Sequence, residues 1–189
     1  SFYPTKNLGA LGDAGLCITN DARLAARMRQ IRMYGFDGDR VAHCEGLCSR
    51  LDELQAAILR VKLTHLPDVL RIRRRLARLY SLALRDSDYR IPVSRCNARD
   101  AFHLYVVRAK NREWAVEALQ QAEIGYGIHY PMPIHLMPAY EWLGYKPGDL
   151  PVTEQAANEV LSLPLHPGLS DTAIRQVADV LLAAQQIEL

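Results

Sequence analysis

One lysine, Lys6, stands five residues after Ser1 and directly after Thr5, in a stretch that also holds Gly9, Gly12 and Gly15. A primary amine can condense with a carbonyl compound, provided desolvation or a nearby positive charge lowers its pKa enough to populate the neutral form. Hydroxyls and backbone N–H groups suit a phosphate, and glycines let a backbone come close to a ligand or turn with positive φ. Together these residues point to a phosphorylated carbonyl compound, held by its phosphate while the amine engages the carbonyl. The commoner case for such a residue is a solvated lysine in a glycine-rich surface loop, since surface lysines far outnumber catalytic ones, and local chemistry leaves Lys6 a candidate and no more. A Walker loop is excluded, because no Gly-Lys-Ser/Thr follows a spaced glycine.

Positioning these groups requires a fold, and 189 residues with 49% hydrophobic and 23% charged side chains suit a soluble globular chain with a substantial core. A net charge of +2 gives no reason to expect a nucleic-acid or membrane partner. No apolar run approaches a membrane span and no secretory leader is evident, so a cytoplasmic setting is expected. The scattered Cys17, Cys44, Cys48 and Cys96 are read as reduced thiols. His43, Cys44 and Cys48 lack the second ligand pair a structural zinc needs, so no metal is expected. The chain begins with Ser rather than Met and reads as trimmed, processed or partly represented.

Residues 14–19 are expected to form a buried strand, and Asn20 to cap a helix running to about Tyr34, closed by Gly35. Residues 35–48 read as a loop. Ser49 and Asp52 have capping-box spacing ahead of an apolar stripe of Leu51, Leu54, Ile58 and Val61. Pro67 either starts a second helix or lies in one long one, whose stripe continues through Val69, Ile72, Leu76, Leu79 and Ala83. Arg71, Arg73, Arg74, Arg75 and Arg78 spread around that helix and read as a solvated surface. Further on, strands are expected over 102–108 and 124–128, helices over 112–122, 152–160 and 171–186, and a short helix near 139–143. Five prolines mark 129–151 as a loop. Interleaved strands and helices indicate an α/β architecture, divided near residue 68.

The opening Ser1-Phe-Tyr-Pro-Thr-Lys-Asn-Leu-Gly-Ala-Leu-Gly-Asp13 resembles the lysine motif of the DegT/DnrJ/EryC1/StrS sugar aminotransferases. Three further stretches agree with that family in order. They are Ser49-Arg-Leu-Asp-Glu-Leu-Gln-Ala-Ala-Ile-Leu59, His129-Tyr-Pro-Met-Pro-Ile-His135 and Leu161-Ser-Leu-Pro-Leu-His-Pro167. The resemblance starts in mid-domain, so the chain is similar to roughly the second half of the family's length. It implies part of a fold-type-I, aspartate-aminotransferase-like α/β structure. Residues 1–68 would be the trailing part of the large pyridoxal-phosphate domain, and 69–189 a small α/β domain with its linking helix.

The same resemblance implies a transaminase that moves an amino group, from a donor such as glutamate, to a nucleotide-linked keto-deoxysugar at a homodimer interface. The wording of the lysine motif is most similar to members acting on dTDP-3-keto-6-deoxyhexoses. Lys6 would form the internal aldimine with pyridoxal 5′-phosphate, and Ser1 would contact its phosphate. Cys48 stands where the family carries an Asn that reaches the cofactor phosphate across the dimer, and a thiol is a much weaker donor than an amide. His129, Tyr130, His135, His103 and Arg50 would border the sugar-nucleotide pocket, with Arg108 as a further arginine able to pair with a pyrophosphate. The aspartate that holds the pyridine nitrogen in the family would lie upstream. The alternative is a non-catalytic remnant or interaction module of the same fold that binds no cofactor.

Overall fold

The computed structural model describes residues 1–185, in two compact units, Ser1–Asp68 and Val69–Leu189. In the first, helix α1 spans Ala22–Ile31 and is capped by Asp21, whose carboxylate accepts from the N–H groups of Arg23 and Leu24. The cap therefore falls one residue after the expected Asn20, where an acceptor can reach two orphan donors. The helix stops short of Tyr34 because Tyr34 and Gly35 both take positive φ, 61° and 76°. Gly35 is required twice over, since an added Cβ would also lie 1.8 Å from the Cys44 carbonyl oxygen. Residues 14–19 form no strand. A strand is made by its ladder as much as by its side chains, and Leu16 and Ile18 stand 67% and 86% exposed.

Helix α2, Glu53–Ala83, is a single 31-residue element with Pro67 inside it. Proline removes one rung of the ladder and the helix continues on either side. It begins at Glu53, with the Asp52 carbonyl accepting the Ala56 N–H at 2.9 Å, so the expected box on Ser49 does not form. The N–H of Ser49 goes instead to the Arg32 carbonyl. Leu54 and Val61 of the expected stripe are exposed, and Leu59 is the buried residue.

In the second unit, β1 (Tyr105–Arg108) pairs antiparallel with β2 (Val160–Leu163), Val106 opposite Ser162 and Val107 opposite Leu161. Arg90 bridges to Arg108 on β1, and Gly127 bridges to Ser162 on β2. The expected strand over 124–128 is reduced to that one bridge, while β2, unforeseen as a strand, is a four-residue run too short for periodicity to declare. Helices α3 (Arg112–Gln121), α4 (Pro151–Glu159) and α5 (Asp171–Gln185) fall within a residue of expectation, Gln186 lying outside the described residues.

One apolar cluster holds this unit together: Leu76, Ala77 and Tyr80 from α2 with Leu84 just after it, Tyr105 and Val107 from β1, Leu161 and Leu163 from β2, with Leu119, Ile174 and Leu181 from α3 and α5. Fully burying each large side chain contributes about 1.5–3 kcal/mol. The buried face of this part of α2 runs through Arg73, Leu76, Ala77 and Tyr80 and on to Leu84 beyond its end, sharing only Leu76 with the expected stripe. Arg73 thus belongs to the interior and not to a solvated surface. Its Nη1 lies 3.0–3.1 Å from the carbonyl oxygens of Phe102, His103 and Leu165, the ends of segments that lead into β1 and out of β2. Burial pulls its pKa below the ordinary arginine value.

Candidate functional site

The lysine loop is built by backbone bonds before any side chain is considered. Lys6 N–H closes a turn on the Tyr3 carbonyl at 2.8 Å, Ala10 N–H reaches Phe2, and Phe2 N–H reaches Ala14. Gly9 permits the doubling back, since a Cβ there would stand 2.3 Å from the Pro4 carbonyl oxygen. The first turns of α2 hold the loop from one side. Gln55 Oε1 accepts from Leu11 N–H at 2.8 Å, and Lys62 Nζ donates to the Gly9 carbonyl at 2.6 Å. Gln55, Leu59 and Lys62 lie at i, i+4 and i+7, which explains why this face of α2, and not the Leu54–Val61 face, is used.

Lys6 itself is half-buried and Ser1 is exposed, its Oγ accepting from Tyr3 N–H at 3.4 Å. The donor set fits a phosphorylated aldehyde in kind: an amine with Ser1 and Thr5 hydroxyls on a loop whose backbone is already fixed. Gln55 and Lys62 escaped the sequence reading, although Gln55 sits inside one of the four quoted motifs.

A second structure in the same unit surrounds Cys48. The segment 46–48 packs on the end of α1, with Tyr34 N–H donating to the Leu47 carbonyl and Leu47 N–H to Ile31. A Cβ on Gly46 would meet Gly35 N at 2.1 Å, so glycine is needed there for the close approach. This geometry sets the Tyr34 hydroxyl 2.8 Å from Cys48 Sγ, and that bond pushes the phenol pKa up. Both side chains are exposed, as is Arg50, two residues on.

In the second unit the structure places the four candidate side chains differently from one another. His103 lies in the segment whose carbonyl Arg73 binds. His129 Nδ1 is 2.8 Å from Ser162 Oγ, and its ring meets that of Tyr130 edge-on at 5.5 Å. Tyr130 is 69% exposed. His135 is 7% exposed and turned inward, its Nε2 3.1 Å from Glu154 Oε1 and its ring edge-on to Tyr145. Glu154 also accepts from the N–H groups of Gly148 (2.8 Å) and Leu150 (3.1 Å), tying the proline-rich loop to the first turn of α4. Arg108 is engaged by Glu159, Nε to Oε2 at 2.7 Å. Burial alone would raise that carboxyl, but hydrogen bonds from Arg108 and Gln155 outweigh it and hold its pKa low.

The Gly148 bond is the chief reason the Glu154 carboxyl titrates below its ordinary value of 4.5, with Leu150 and His135 adding to it. A carboxylate depressed in the folded state stabilises it above its unfolded pKa, and that contribution is lost as pH falls through the folded one. Amide shifts of Gly148 and Leu150 are therefore expected to hold steady from about pH 7 to about pH 5 and to move together only in more acid solution. In Glu154→Gln they should show no such titration; amides that move together above the ordinary carboxylate range would contradict the assignment.

The sequence model of the DegT/DnrJ/EryC1/StrS aminotransferase family matches residues 1–182. The chain is 48% identical over 184 residues to the "Erythromycin biosynthesis sensory transduction protein EryC1" of Saccharopolyspora erythraea, covering 97% of this chain and 49% of that one. It is 40% identical over 191 residues to the dTDP-3-amino-3,4,6-trideoxy-alpha-D-glucose transaminase of Micromonospora megalomicea subsp. nigra, covering 96% and 51%. Among solved structures, S. venezuelae DesV in complex with a ketimine intermediate superposes with a TM-score of 0.92 at 38% identity, over 100% of this chain and 50% of that one. The chain spans about half the length of the curated relatives it matches, and carries the corresponding part of their α/β fold. On the family model and these identities together, the chain belongs to the DegT/DnrJ/EryC1/StrS aminotransferase family.

Proposed function

We propose that this chain carries the lysine-bearing part of a pyridoxal-phosphate-dependent transaminase acting on a nucleotide-linked keto-deoxysugar in amino-sugar biosynthesis. The observation that carries the reading is the Lys6 loop: an amine and hydroxyls on a backbone locked by Gly9, Gln55 and Lys62. Residues 1–68 are read as the trailing part of the cofactor domain and 69–189 as the small domain. When bound, pyridoxal phosphate supplies an electron-withdrawing ring that acidifies the amino-bearing carbon. Lys6 would hold the aldehyde carbon through Nζ and afterwards carry a proton at that nitrogen. Ser1 would orient the phosphate. His129, Tyr130 and His103 would meet the nucleotide sugar, with Arg50 available to its pyrophosphate. His135, buried against Glu154, would act on that surface through the shape of its loop. The relative from Micromonospora megalomicea supports a dTDP-linked 3-keto sugar as acceptor. An amino acid such as glutamate is the proposed donor, a homodimer the proposed assembly and the cytoplasm the proposed setting; among the described residues no helix is long and apolar enough to cross a membrane.

One observation favours a second reading, a remnant or interaction module that binds no cofactor. Where the resemblance implies an amide donor, Cys48 offers a sulfur already engaged by the Tyr34 hydroxyl. Absorbance separates the two. Purified chain mixed with pyridoxal phosphate and freed of excess should retain a visible or near-ultraviolet band under the transaminase reading. A colourless product would favour the remnant.

A further inference from the structure

Ser162 is the one polar side chain of β2, and it is 4% exposed. Strand alternation sends Leu161 and Leu163 into the apolar cluster and turns Ser162 to the opposite face. There its Oγ lies 2.8 Å from His129 Nδ1. Its backbone is bonded both ways to Gly127, at 3.0 and 2.7 Å, which brings the residue two before His129 alongside. Glycine at 127 is what makes room for the ring, because a Cβ there would stand 2.6 Å from His129 Cε1. The imidazole is thus held by one hydrogen bond and one close backbone approach, on a strand that cannot shift without breaking its ladder.

The direction of the hydrogen bond follows from the surroundings. Among the described residues the Ser162 hydroxyl has no acceptor other than His129 Nδ1. A buried O–H left without an acceptor is costly, so its proton points at Nδ1. A neutral imidazole that accepts at Nδ1 carries its own proton on Nε2, and the second nitrogen is then a donor. Nε2 makes no hydrogen bond among the described residues, and the exposed Tyr130 ring stands edge-on to the imidazole.

We propose that Ser162 and Gly127 are positioning residues for His129, setting its ring so that Nε2–H donates to an acceptor oxygen of the nucleotide sugar, a hydroxyl or phosphate oxygen. The inference rests on the reading of this loop as a nucleotide-sugar contact and adds to it a fixed tautomer and the residues that impose it. It also fits the position of Tyr130, whose exposed ring offers an apolar face beside a single polar donor, the usual make-up of a sugar contact.

The test uses the 189-residue chain labelled with nitrogen-15 and observed by NMR at about pH 8, where imidazoles are ordinarily neutral. His129 should be protonated at Nε2, with its Nδ1 resonance displaced by the accepted bond. In Ser162→Ala the Nδ1 resonance should move to the position of an unbonded ring nitrogen while the backbone amide spectrum away from the site is retained. Ser162→Thr should restore it. With dTDP-glucose as the probe, binding should weaken about fivefold in Ser162→Ala and recover in Ser162→Thr. A wild-type His129 protonated at Nδ1, or a ring resonance indifferent to Ser162→Ala, would overturn the positioning role. If the ring responds to Ser162→Ala but dTDP-glucose perturbs His129 in none of the proteins, the nucleotide-sugar reading of the loop fails instead, and the two failures are distinguished.

Discussion

Lys6→Ala is expected to abolish retention of pyridoxal phosphate as a coloured, borohydride-fixable species, with no residual band above the level of free cofactor. The size of the effect follows from the chemistry: a covalent link needs a primary amine at that place, and no geometry can substitute for it. Lys6→Arg should fail as completely. A guanidinium keeps the charge but stays protonated and does not condense. A variant that keeps the band would assign the chemistry to another of the chain's lysines, Lys62, Lys110 or Lys146.

Arg73→Met is expected to lower the stability of the second unit by about 3 kcal/mol. Two effects oppose each other. Removing a buried guanidinium relieves the cost of holding a cation away from water, and a methionine of similar length can fill much of the space. Against this, the carbonyls of Phe102, His103 and Leu165, which share the two hydrogens of Nη1, lose their donor together, and a buried acceptor such as that of Leu165 left unsatisfied costs about 1–3 kcal/mol. The Arg73 Nε is buried with no hydrogen-bond partner among the described residues, so removing the cation returns part of that cost, and the lost acceptors decide the balance. Arg73→Lys should fall between, since it keeps the charge on a shorter stem. Both tryptophans, Trp114 and Trp142, lie in this unit, so fluorescence in urea reads its unfolding directly. Stability equal to the parent in Arg73→Met would show that the three carbonyls do not depend on the arginine.

Arg73 also shows where the sequence could not speak. Five arginines within eight positions look like a solvated face, and nothing in their spacing marks the one whose direction coincides with the ends of two strands. Those ends are assembled from residues 29 to 92 positions away. Ser162 is hidden for a related reason. A serine between two leucines signals a change of face, yet its partner His129 is identified only when Gly127 is seen to bridge to β2. Helix α5, with a continuous buried face of Ile174, Val177 and Leu181, was legible because its periodicity is local, whereas α2 was legible as helix but not in its buried face or its continuity through Pro67. Residues 14–19 and 124–128 have strand-like composition without a complete ladder, and composition says nothing about neighbours. His135 looks the same as His129 in a proline-rich loop; only the Glu154 carboxylate beside it separates an inward-turned ring from one held at the surface. The Lys6 loop was legible as a run of amine, hydroxyl and glycine residues, while the side chains that brace it from α2 were not.

The central claim is that one amine, on a loop braced by α2, is the group that reacts with the cofactor. Its most direct measurement is peptide mass mapping of the chain after incubation with pyridoxal phosphate and reduction with borohydride. The account predicts a pyridoxyl label concentrated on the peptide that contains Lys6, with Lys62, Lys110 and Lys146 left essentially unmodified. A label spread evenly over the four lysines, or absent from Lys6, would contradict it.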